Sequence, residues 1–185
     1  MYVHQTSGVP RRPLGVDSLL MARGYDPAAW QAFCQALVGA AAALTGLLFV
    51  AISINLEHIL KRPNFLPPRA AETLAAVLLV LMSCALTLVP QNTRLLGTEL
   101  LVIALALLAV IPRQLATRRE HPEDPAAWHR SRIVTTAAPA IPTAISGISL
   151  IVHWGGGLYW LVPAALLGIA AGVYGGWVLL VEIVR

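Results

Sequence analysis

Residues 27–55 read PAAWQAFCQALVGAAAALTGLLFVAISIN, twenty-nine positions without one Asp, Glu, Lys, Arg or His. About twenty helical residues cross a hydrocarbon layer roughly 30 Å thick. A core helix of a water-soluble domain has no need of such a length without a charge. The stretch therefore predicts a transmembrane helix, and the same test applied outward predicts four more. They run from about Arg69 to Val89, Leu95 to Ile111, Ile133 to His153 and Leu158 to Val184. The third is the shortest, and Pro112 is expected to end it, because proline lacks the amide that a helix interior requires.

Composition says the same. Of 185 residues, 57% are hydrophobic and 12% charged, and the mean hydropathy is +0.72; a soluble domain carries about 25% charged residues. The 22 Lys, Arg, Asp and Glu residues fall almost entirely in positions 1–26, 57–72, 94–99 and 113–132. The fold class expected is all-α, a polytopic transmembrane bundle of five spans. Residues 1–26 form a polar tail and residues 27–185 the membrane domain, with a charged loop at 113–132. The tail lacks the apolar stretch of a secretory signal. Met21 opens a plausible shorter start, so either Met1 or Met21 begins the chain.

Orientation follows from Lys and Arg in alternate loops. With the N-terminus outside, the cytoplasmic side holds nine of these residues and the external side four, so the expectation is N-terminus out and C-terminus in. The membrane expected is the plasma (inner) membrane of a bacterium. Trp30, Trp154, Tyr159 and Trp160 would then mark the outer interface, with Trp128 and Trp177 nearer the inner one. A net charge of +4 reads as this loop bias and not as a nucleic-acid surface.

Asp26-Pro27 starts the first helix well: the carboxylate caps free amides, and proline suits the first helical position. The pentapeptide Asp26-Pro-Ala-Ala-Trp30 recurs as Asp124-Pro-Ala-Ala-Trp128. The repetition reads as convergent capping, with a transporter-like inverted repeat as the other reading.

Three places stand out for function. Gly168, Gly172 and Gly176 form overlapping GxxxG motifs on the fifth span, a face on which helix backbones approach closely; the partner is either another helix of the chain or a second copy. A weaker stripe, Gly39, Ala42, Ala43 and Gly46, lies on the first span. The fourth span carries Pro139 and Pro142 beside Thr143 and Ser146, expected as a broken polar helix of the kind that lines an ion or solute pathway. Finally Asn55, Glu57 and His58 form a polar cluster at the inner end of the first span, which Arg69 and Glu72 are expected to face. Cys34 and Cys84 lie inside apolar runs without disulfide or zinc spacing. No metal site, cofactor motif or nucleophile elbow is present in the sequence.

Gly39–Leu56, Leu66–Leu74 (LPPRAAETL) and Pro90–Leu100 (PQNTRLLGTEL) together resemble a group of small polytopic membrane proteins from high-GC, actinobacterial-type bacteria, some of them labelled modulators of the FtsH protease. The resemblance covers about the first 100 residues and carries no residue role with it. The leading expectation is a non-enzymatic scaffold or regulator of a membrane complex, such as the membrane protease that the resemblance suggests, with the lipid bilayer, another membrane protein or a second copy as partner and no nucleic acid. The alternative is a small channel or transporter with its pathway at Pro139, Pro142, Thr143 and Ser146. An intramembrane enzyme using Glu57 and His58 is the third reading.

Overall fold

The computed structural model describes residues 23–57, 66–120 and 126–184. Six helices carry these residues: α1 (Gln31–Ile54), α2 (Leu66–Leu88), α3 (Thr93–Leu108), α4 (Ile111–Glu120), α5 (Ala126–Val152) and α6 (Leu161–Val184). Short 3₁₀ turns at Pro27–Trp30 and Gly157–Trp160 lead into α1 and α6. Five helical segments are long and apolar enough to cross a membrane, the first being Pro27–Ile54 and the last Gly157–Val178. The chain is a multi-pass membrane protein of all-α class.

Local chemistry accounts for most boundaries. Asp26 accepts a hydrogen bond from the Ala28 amide at 3.0 Å, with Pro27 behind it. Asn92 caps α3 in the same way, accepting from Arg94 N. Pro112 does not end the helical run, as the sequence suggests it should. The chain turns at Ala109 and Val110, and α4 then begins with Pro112 in its first turn, where a missing amide costs nothing. Residues 113–120 of the expected charged loop are therefore helical, and the helix of the fourth span starts at Ala126, with its apolar spanning part running from Arg130 to Val152.

The bundle is centred on α2, which touches α1, α3, α5 and α6. α1 lies at the edge and meets α2 along Cys34, Ala41 and Leu48, one buried residue every seventh position, with Leu37 and Leu44 between them. That spacing is the seam of a left-handed helix pair. Cys34 and Cys84 belong to the same buried cluster. A second cluster, Leu96, Leu100, Leu150, Leu158 and Leu161, joins α3, α5 and the approach to α6. Leu47, Phe49, Ile54, Val102, Leu105, Ile148 and Leu166 point outward, as side chains facing lipid tails do.

Lipid supplies no hydrophobic drive for helices to associate, so close contact must hold them. At the glycines of the spans, the closest approach of one helix backbone to another is between α3 and α5 at Gly97 and Gly147. A Cβ on Gly97 would sit 2.8 Å from the Gly147 carbonyl oxygen, and one on Gly147 would sit 2.7 Å from the Gly97 oxygen and 2.8 Å from Leu101 N. The α6 glycines pack inside the same chain: Gly168 against Val80 and Ala76, Gly172 against Val77, and Gly175 against Thr73. The third member of this α2-facing stripe is Gly175, since Gly176 turns instead toward Leu48 of α1.

At one end of the bundle Gly155, Gly156 and Gly157 all have positive φ (93°, 102° and 56°), preceded by His153 at 57°. Gly157 N donates to Ser149 Oγ at 2.7 Å, Gly156 N to the Tyr25 hydroxyl at 3.2 Å, and Leu158 N to Gly24 O at 2.7 Å. Trp30 and Tyr159 meet edge-on, 4.9 Å between ring centres. This turn ties the segment before α1 to the α5–α6 connection. Gly157→Ala is expected to lower unfolding stability by about 3 kcal/mol, because the added methyl meets the Gly24 carbonyl at a left-handed φ. Thermal unfolding in detergent checks it, and a melting point equal to that of the unaltered chain would refute the account.

Candidate functional site

The opposite, arginine-rich end holds the only buried ion pair among the described residues. Glu72 is the seventh residue of α2 and Arg132 the seventh of α5. Both helices start at this end, so equal distances along them bring the two side chains to one depth. Arg132 Nε donates to Glu72 Oε2 at 3.0 Å while Nη2 bonds Oε1, and the side chains are 7% and 10% exposed. The planar guanidinium fits a carboxylate at two points, which fixes the relative rotation of α2 and α5.

One turn beyond Arg132, the Thr136 hydroxyl donates to Arg132 O at 3.0 Å. Its single proton is thereby used, so it serves Gln114 of α4 only as an acceptor, taking Gln114 Nε2 at 2.9 Å. This settles which way the Gln114 amide points. Its Oε1 is left buried without a hydrogen-bond partner, in a residue only 2% exposed. A buried acceptor in that state costs about 1–3 kcal/mol.

Beside these groups lies a cavity of about 430 Å³, lined by Pro68, Ala71, Glu72, Ala75, Leu107, Val110, Arg113, Gln114 and Arg132. Its walls are mostly apolar, with the polar groups gathered on one side. Four helices frame it: α2, the end of α3, α4 and α5.

Three members of the polar cluster expected around the inner end of α1, Asn55, Arg69 and Glu72, take other partners. Asn55 turns back on its own helix, donating from Nδ2 to Ala51 O at 2.8 Å. Glu57 is exposed and keeps a contact of its own; His58 lies outside the described residues. Arg69 is buried beneath Tyr174 of α6, its guanidinium carbon 5.9 Å from the ring centre, and its Nε has no hydrogen-bond partner. Glu72 turns to α5. Sequence position groups Glu72 with Glu57 and Arg69, whereas the packing of α5 on α2 gives it Arg132 as its partner. Arg132 gave no signal of this in the sequence, since a span read from Ile133 leaves it outside; only the helix start at Ala126 places it as deep in α5 as Glu72 is in α2.

The fourth span also differs from expectation. Pro139 and Pro142 sit inside one unbroken helix. The Thr143 hydroxyl donates to Pro139 O at 2.8 Å and Ser146 Oγ to Gly157 O at 3.2 Å. Pro139, Pro142, Thr143 and Ser146 are all buried, and Thr143 borders a void of only about 10 Å³ together with Val80, Ser83, Cys84, Leu161, Ala164 and Ala165. A pathway along α5 would require these helices to separate.

Among the described residues, no group of three His, Cys, Asp or Glu side chains is placed to hold a metal ion. No family model matches the chain, and neither does any curated protein or solved structure.

Proposed function

We propose that the chain is a non-enzymatic protein of the bacterial inner membrane, N-terminus out and C-terminus in, that scaffolds or regulates another membrane complex; the sequence resemblance makes a membrane protease the partner to test first. The observation that supports this is the open side of α1. Only 11% of its spanning window is buried, against 28–44% for the other four. Gly39 and Gly46 meet nothing within 4 Å of where a Cβ would stand, and Ala42 and Ala43 beside them are exposed. Small residues on a lipid-facing side allow a second helix to approach to backbone distance. The glycines of α6 already meet α2, or Leu48 of α1 in the case of Gly176, within the chain.

A photo-crosslinking side chain placed at Gly39 or Gly46 in native membranes is expected to capture a distinct membrane protein, whereas one at Ala170, on an exposed part of α6, is not. If Gly39 and Gly46 both capture only lipid, the scaffold reading fails on this face.

A further inference from the structure

We infer that Cys34 and Cys84 are a redox modification site: an oxidant on the outer side of the membrane joins them in a disulfide that ties α1 to α2. They are the only two cysteines in 185 residues. They stand on different helices, fifty positions apart (84 − 34 = 50), and both are free thiols here. Two cysteines placed for packing alone have no reason to meet. These do: the thiols interact directly with each other, and that of Cys34 also reaches the Thr87 hydroxyl.

Helix register accounts for the meeting. Leu44 and Val77 both face Gly172, while farther along α6 Leu48 faces Gly176 and Thr73 faces Gly175, so α1 and α2 run antiparallel. Cys34 lies ten residues from Leu44 toward one end of the bundle (44 − 34 = 10). Cys84 and Thr87 lie seven and ten residues from Val77 toward the same end, so the stretches arrive at one level. Both cysteines belong to one buried cluster with Val80 and Ala165. Cys34 is the fourth residue of α1 and Cys84 the fifth from the end of α2. At 1.5 Å per residue they stand roughly 6 Å inside the end that carries Trp30 and Tyr159. With the N-terminus out this is the outer end, and outside the cytoplasm disulfides form and persist. The inference rests on that orientation from the reading above and on nothing else in it.

In the finished bundle the two residues are 0% and 1% exposed, so oxidation precedes its completion. Across the small void beside Cys84 stand Thr143 of α5 and Leu161, Ala164 and Ala165 of α6, segments made after α1 and α2. Until they arrive, Cys84 is the thiol within reach. The oxidant is an exchangeable disulfide, RS–SR, of the outer compartment. The Cys84 thiolate attacks one of its sulfurs, forming a mixed disulfide and releasing RS⁻. The Cys34 thiolate then attacks the Cys84 sulfur, and the second RS⁻ leaves. The two protons lost by the cysteines end on the two RS⁻ groups, and two electrons pass to the oxidant. The bond closes a loop of about fifty residues and so constrains the unfolded chain. It also acts where packing is weakest, since only 11% of the α1 window is buried.

The test takes the full-length chain from native membranes, quenches it in acid, denatures it and offers a maleimide before and after reduction. Mass spectrometry counts the labels. None before reduction and two after it are expected, with the unreduced chain running as a monomer. Cys34→Ala is expected to leave Cys84 open to one label without reduction; because labels are counted on denatured chain, a variant that folds poorly is still read. Orientation is measured separately with Arg94→Cys, at the exposed start of α3, in a chain that also carries Cys34→Ala and Cys84→Ala. It is expected to take a membrane-impermeant maleimide from outside intact spheroplasts. Two labels before reduction, with Arg94→Cys labelled from outside, would overturn the disulfide and leave the orientation standing. A dimer that reductant dissolves, or Cys84 still blocked in Cys34→Ala, would overturn the internal pairing. Arg94→Cys labelled only in lysed spheroplasts would overturn the orientation and, with it, the outer oxidant.

Discussion

Arg132→Met is expected to lower the stability of the bundle by about 3 kcal/mol, the lower part of the range for stranding one member of a buried ion pair. Methionine keeps much of the apolar stem, so lost packing contributes little. What remains is the Glu72 carboxylate, 10% exposed and without the two donors that Arg132 supplies. The loss stays near the lower end because helices that separate within a bilayer still find polar partners there. Glu72→Met strands the cation instead and is expected to cost a similar amount. Glu72→Met combined with Arg132→Met removes both charges and should recover most of the loss, since an apolar pair of similar volume is often as stable as a buried ion pair. Unfolding by denaturing detergent, followed by helical circular dichroism, distinguishes these cases. A double variant as unstable as the two losses added together would show that the pair is not acting as a unit.

Gly147→Ala is expected to cost about 3 kcal/mol, the upper end of ordinary overpacking. The added methyl would stand 2.7 Å from the Gly97 oxygen and 2.8 Å from Leu101 N, and both are backbone atoms. No side-chain rotation relieves such a clash; α3 and α5 must move apart along their length. Gly97→Ala meets the Gly147 oxygen at 2.8 Å and is expected to behave alike. Once one methyl has separated the helices the second has room, so the double variant should cost clearly less than the sum. Gly46→Ala provides the contrast. It has open space around it, and alanine favours a helix over glycine by about 1 kcal/mol, so a small gain in melting temperature is expected. Equal losses for Gly147→Ala and Gly46→Ala would refute the close-contact account.

The five spans were legible because length without charge is a one-dimensional property. Asp26 and Pro27 were legible too, since a cap and its helix are neighbours in the chain. Pairing between helices was not. Glu72 and Arg132 are separated by sixty positions, and nothing in either segment states that α5 packs on α2. The α6 glycines announced themselves by regular spacing, yet Gly97 and Gly147, each isolated in its span, make the closer approach between backbones. Periodicity reveals a stripe and misses a single notch. The prolines of α5 misled for a related reason. A missing amide weakens a helix in isolation, but neighbouring helices and the hydroxyl of Thr143, bonded to Pro139 O, hold this one continuous.

The contact between Gly97 and Gly147 also bears on the order in which the protein is made. The two glycines are fifty residues apart, with α4 lying between them in the chain. At a ribosome that adds about 5–20 residues per second, the partner of α3 emerges roughly 3–10 s after α3 itself. α1 and α2, adjacent in sequence, can meet along their heptad seam in that time, whereas α3 waits in the membrane with its notch unfilled. The bundle is therefore assembled from a pair that forms early and a helix that is held until α5 arrives, and that interval is when another membrane component has its best access to α3.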